Sequence, residues 1–260
     1  MTLPGIAFGA PALSLSDVPS WALERGAVSI DGRDLWAYGA ALESLSVGDA
    51  APVTSMADVP GADGAADLTL EAGGRALLSR RAVECGLVAF GDAQEVVDAR
   101  RRLGALSGRE VELWLAPYGC AFRGRASLGA WEDSLTGCRV TLSLDAEPVG
   151  YGRARSVALR SGNNALLVGG NERTWPVVTL TPPSGAKYAR VALGGLYVQV
   201  PGTFDGKRQA VVDMGQGLCR VGGSLASPTI ESDYFALPPG RQALSCSCPG
   251  AVEWRERWLV

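Results

Sequence analysis

The 260 residues contain no histidine. That absence removes Ser-His-Asp and Cys-His mechanisms and every metal site with a His ligand. Lysine is almost missing too: Lys187 and Lys207 stand alone, and the rest of the positive charge is arginine, which with the high Ala and Gly fits a GC-rich coding bias. A net charge of −3 and a pI of about 5.2 argue against a nucleic-acid partner held through phosphates. No apolar run approaches the roughly eighteen residues that a membrane span needs. Met1 to Gly5 lacks the basic start of a secretory signal, so the expectation is a soluble protein assembled in a cytoplasm.

Cysteine is present without order. Cys85, Cys120, Cys138, Cys219, Cys246 and Cys248 have neither a disulfide-framework spacing nor a C-x-x-C pair. Cys246 and Cys248 with Cys219 offer three thiolates toward a zinc site that normally needs four ligands; two buried thiols on one strand face is the better reading. Gly202 to Lys207 imitates a phosphate-binding loop but is one residue short, and Arg208 replaces the hydroxyl residue. No dinucleotide fingerprint exists. The carboxylate pairs Glu132-Asp133 and Glu231 with Asp233 read as turn acids. No catalytic residue, metal or cofactor is expected, and the protein is not expected to be an enzyme.

What is present is β-sheet patterning, in a composition 47% hydrophobic and 20% charged. Val177 to Leu180, Tyr188 to Leu193, Leu196 to Val200 and Ala210 to Val212 are short apolar runs between Gly/Pro/Asn/Asp turns, and Gln242 to Ser247 and Val252 to Val260 are two further strand-like segments. Val111 to Leu115 and Cys138 to Leu144 show the same character earlier. One helix is predicted over 92–107: Asp92 caps it, Glu95 completes a capping box and Gly108 ends it. Val96, Ala99, Leu103 and Leu106 form its apolar face, with Arg100, Arg101 and Arg102 elsewhere. Pro148, Gly150 and Gly152 break the periodicity near 147–155, dividing the chain into domains 1–150 and 151–260. Trp254 and Trp258 share a strand face, read as core packing rather than a sugar platform.

Several phrases resemble the distal tail proteins of siphophage-type (long-tailed) bacteriophages. Gly169-Gly170-Asn171-Glu172-Arg173-Thr174-Trp175-Pro176 is similar to the family's N/G-rich turn and Thr-x-Pro step, and Asp233 to Gly240 to its "DFF-x-L-x-P-G" phrase. Val59 to Thr69 resembles "PGRDG-x-x-DLT", with Ala62 where the family usually has Arg, followed by Gly73-Gly74 and the Arg-led strand at Arg80. Leu106 to Trp114 and Ala146 to Tyr151 resemble the strand after the helix and the exit from the first domain.

The resemblance implies a mostly β protein of two domains: an N-terminal tail-tube-like β-sandwich or barrel with one flanking helix, and a C-terminal galectin-like (lectin-like) β-sandwich. It implies a structural hub in the virion, a homohexameric ring joining the tail-tube protein to tail-tip hub or receptor-binding proteins. The loop residues Pro60, Gly61, Asp63, Gly64 and Asp67 are its expected ring-interface or channel segment. The alternatives are a carbohydrate-binding module that holds a host cell-surface glycan, without the galectin His phrase, and a tail-tube protein.

Overall fold

Alternating side chains and closely spaced turns leave antiparallel pairing as the natural way to bury apolar faces and satisfy the backbone. The computed structural model describes residues 25–260 apart from 62, 73, 135 and 136. Ala62 and Gly73 of the family phrases therefore lie outside the described residues. Two compact units emerge, one running to Gly150 and taking in Val260, the other spanning Tyr151–Leu259.

The first unit is built from β1 (Val28–Ile30), β2 (Arg33–Asp34), β3 (Ala40–Val47), β4 (Met56–Asp58), β5 (Ala65–Asp67), β6 (Arg81–Ala89), α1 (Ala93–Gly104), β7 (Glu110–Leu115), β8 (Cys120–Leu128), β9 (Glu132–Ser134) and β10 (Gly137–Ala146). Its main sheet runs β3-β6-β10-β8-β7-β1-β2, antiparallel throughout, with β9 paired to β10. Alternation sends Val83, Cys85 and Leu87 of β6, Leu142 and Leu144 of β10, Phe122 of β8 and Leu113 of β7 into the core. A bulge between Leu42 and Ser44 adds Glu43 to β3, and Glu43 pairs with Arg139 of β10 at 2.9 Å.

Among the described residues α1 is the one α-helix. Its capping box is as predicted: the Glu95 N–H donates to Asp92 Oδ1, and the Asp92 N–H donates to Glu95 Oε2, both at 2.8 Å. Its end is earlier than predicted. The helix stops at Gly104, the Ala105 N–H bonds to the Arg101 and Leu103 carbonyls, and Leu106 is buried in the turn beyond. Gly108 does not cap the helix; its N–H joins Ala126 of β8, so sheet pairing wins over another helical turn. Ala99 and Leu103 are fully buried, and Val96 and Trp131 pack around Ala89, Ala99 and Cys138. Arg100 is less detached than expected, because it lies over Trp131 at 5.1 Å and donates to Cys138 Sγ.

The second unit contains β11 (Gly150–Leu159), β12 (Gly162–Val168), β13 (Val177–Leu180), β14 (Tyr188–Leu193), β15 (Leu196–Pro201), β16 (Ala210–Asp213), β17 (Leu218–Val221), β18 (Ser224–Ala226), β19 (Gly240–Cys246) and β20 (Gly250–Trp258). One sheet runs β18-β17-β16-β13-β20-β11, the other β12-β19-β14-β15. One apolar cluster joins both: Val178, Leu180, Val212, Val252 and Trp254 from the first, Val168, Val191, Val198 and Leu244 from the second. Two sheets sharing one core make a sandwich.

The phrase at 169–176 straps the end of β20. Asn171 Nδ2 donates to the Leu259 carbonyl and its Oδ1 accepts from the Leu259 N–H. Thr174 exchanges two backbone hydrogen bonds with Leu237, and its hydroxyl donates to the Arg255 carbonyl. Gly170 is needed twice over: φ is +95°, and a Cβ would sit 2.3 Å from the Arg257 carbonyl. In the 233–240 phrase, Phe235 and Leu237 fill the core.

Candidate assembly surface

Between β3 and β6 the chain leaves the sheet for residues 49–80 and returns beside its point of departure. The base is closed by Val47 opposite Val83 and by the Gly48 N–H to the Ala82 carbonyl at 2.8 Å. Beyond it, Ser79 bonds to Ala51, Val53 to Leu77 and Leu68 to Ser55 through backbone groups. β4 and β5 pair at the outer end, with Asp58 opposite Ala65 and Met56 opposite Asp67. The result is an arm whose backbone bonds to itself.

Its side chains do the reverse of a core. Among the described residues of 49–80 none is buried. Val53, Met56, Val59, Leu68, Leu70 and Leu77 are all exposed, Leu70 at 73% and Met56 at 61%. A two-stranded hairpin is marginal in water without a third layer, and large apolar side chains collected on one segment mark a contact surface. Sequence reasoning pointed at the turn and missed this feature. The available signal was an apolar content with neither helical nor strand period between Pro52 and Leu78.

The five predicted residues all fall at the outer end of the arm. Pro60, Gly61, Asp63 and Gly64 connect β4 to β5, and Asp67 closes β5. Gly61 and Gly64 have φ of +83° and +86°, with nothing within 4 Å of where a Cβ would be. They are required by the turn, not by a bound group. Asp67 accepts from the Thr69 N–H at 2.9 Å, and hydrogen bonds from Thr69 hold its carboxyl below the usual range. From residue 50 to residue 74 the only charged residues are Asp58, Asp63, Asp67 and Glu71.

The remaining candidates have ordinary structural roles. The six thiols are free and buried, and burial pushes Cys85 up to about 12 and Cys120 and Cys246 to about 11. Such thiols stay protonated and are poor nucleophiles or ligands. Among the described residues no group of three or more Cys, Asp or Glu is placed to hold a metal. Asp133 pairs with Arg100, Glu231 accepts from the Tyr197 hydroxyl, and Asp205 turns the 202–207 segment by accepting from the Lys207 and Arg208 N–H groups. Trp254 lies in the sandwich core, while Trp258 is half-buried. No helix among the described residues is long and apolar enough to cross a membrane.

Comparison with known proteins gives three results. Residues 169–258 match the siphovirus-type tail component family, C-terminal domain. The solved structure of the SPP1 Dit protein, described as a paradigm of the hub of the adsorption apparatus in phages that infect Gram-positive hosts, is similar with a TM-score of 0.69 and 20% identity, over 90% of this chain and 99% of that one. The phage p2 baseplate in its activated conformation has a TM-score of 0.43 and 10% identity, covering 86% and 92%. No curated protein matches. The fold expected from the sequence phrases is thus found, and the family match contains both C-terminal phrases.

Proposed function

We propose, starting from a second unit that matches the siphovirus-type tail component family and a fold shared with the SPP1 Dit protein, that this chain is the structural hub of a phage tail tip. Six copies close a ring between the tail-tube protein and the tip or receptor-binding proteins. The domain of residues 1–150 forms the ring, and residues 151–260 present a platform for tip components. A ring is heterologous association, in which every subunit carries two different complementary surfaces.

The observation that carries this reading is the 49–80 arm. It has backbone order, no buried residue among those described and six exposed large apolar side chains. A neighbour would bury them, at about 25 cal/mol per Å² of apolar surface removed from water. The function needs no catalysis.

Negative-stain images of intact tails test the proposal. The expected result is six-fold density at the tip, labelled by an antibody against this chain. Label repeated along the whole tube would make the chain a tube subunit, and binding of purified protein to host cell-wall glycan with no tail incorporation would make it an attachment module.

A further inference from the structure

We propose that a three-arginine cleft in the first unit receives the acidic arm of a second copy of this chain; the inference rests on the ring reading and names the surface that meets the arm. Arg33 of β2, Arg102 in the last turn of α1 and Arg109 just before β7 line one cavity of about 540 Å³, with Tyr38 and Leu106 among its walls. Among the described residues no carboxylate lines it.

A solvated helix end accounts for part of this. Arg102 lies where cations favour the helix dipole, and its Nη1 donates to the Ala37 carbonyl at 3.4 Å. Arg33 and Arg109 have no such reason to converge, and among the described residues none of the three forms an ion pair. Elsewhere arginines do pair: Arg80 with Asp145, Arg123 with Glu112, Arg139 with Glu43, Arg155 with Glu256. In a chain with more acid than base, three uncompensated guanidinium groups around one concavity select a carboxylate from outside.

The arm supplies the matching charge. Its residues 50–74 carry four carboxylates and no cation, beside the exposed apolar side chains. Asp67 is committed to Thr69 and Glu71 lies back along the arm opposite Ala76; Asp58 and Asp63, on either side of the Pro60-Gly61 turn at its outer end, are the two placed to enter the cleft. The apolar residues would supply buried area, and the charge pairing would fix which surface of the neighbour they meet.

The test is charge reversal in the full-length chain. Self-association is read by sedimentation, and tail incorporation by complementation of a phage lacking the gene. Circular dichroism and melting confirm that each variant folds. Arg102→Glu with Arg109→Glu, and separately Asp58→Arg with Asp63→Arg, should each weaken self-association at least tenfold and reduce incorporation. Combining all four should restore both. Unaffected assembly in either reversed pair, or folded variants that fail singly and are not rescued together, would overturn the arm-in-cleft pairing while leaving the hub reading intact. A wild-type chain that neither self-associates nor enters tails would remove both.

Discussion

The 49–80 arm and the β6–β10 pair beside its base belong to the same unit and are both antiparallel ribbons, yet they are stabilised in opposite ways. β6 and β10 keep their register over nine residue pairs and drive Cys85, Leu87, Leu142 and Leu144 to 1% exposure or less. The arm has a three-residue β4–β5 pairing and scattered backbone bonds, and buries nothing among its described residues. Hydrogen bonds exchanged for bonds to water add little net stability, so the sheet is held by its side chains, and the arm, in the assembly proposed above, would be held by those of a neighbour. A region can thus be locally specified and still be incomplete.

That contrast can be broken by mutation. Phe122→Ala removes a side chain with 0% exposure and should cost about 3–5 kcal/mol in thermal or urea unfolding. Leu103→Ala, also at 0%, should cost about 2–5 kcal/mol; a loss well under 1 kcal/mol would show that α1 does not pack as described. Asp92→Ala loses half of the capping box and should cost about 1 kcal/mol. Leu70→Ala, in the arm, should change the melting of dispersed protein by less than about 0.5 kcal/mol while reducing assembly into tails. A large melting effect at Leu70 would mean that the arm is part of the core after all.

Alkaline pH sharpens the same comparison. Burial raises the thiols of Cys85, Cys120 and Cys246 to about 12, 11 and 11, whereas in the unfolded chain they ionise near about 8.5. The unfolded state therefore loses protons first as pH rises. The stability these groups contribute is complete below the unfolded value and disappears through the folded ones. In reducing buffer the melting temperature should fall between pH 8.5 and 11. The arm has no cysteine, so its backbone protection from hydrogen exchange should not follow that decline. The smallest effect concerns protease access: first cleavage is expected in the exposed 58–65 turn, seen by mass spectrometry, with the β-sheets surviving.

The legible parts of the fold were those encoded over short distances. Asp92 and Glu95 are three residues apart, so the capping box could be read directly, and the two-residue alternation in Val140, Leu142 and Leu144 revealed β10. The end of α1 was misread because Gly108 has a stronger claim from Ala126, a partner on a strand that local pattern cannot show. The phrases at 169–176 and 233–240 were visible as a family resemblance, but their cause is the long-range pairing of Thr174 with Leu237 and Asn171 with Leu259. The candidate loop was found through its turn chemistry. The exposed apolar arm and the arginine cleft were not, since exposure and convergence are properties of the folded surface.

Because the arm leaves and rejoins the sheet at neighbouring residues of β3 and β6, it is also a loop that must close before those strands can pair. Each doubling of a flexible loop costs about 0.6 kcal/mol of chain entropy. Three doublings separate a four-residue hairpin turn from residues 49–80, or about 2 kcal/mol. β6 and β10 are joined through a still longer stretch, but that stretch contains α1, β7 and β8, which shorten the search by folding on the way. The β3–β6 seam has only the three-residue β4–β5 pairing to shorten its loop, and it should zip late. Replacing the arm with a tight turn would then yield a faster-folding, more stable subunit, which is the reverse of what deleting an ordered ribbon usually does.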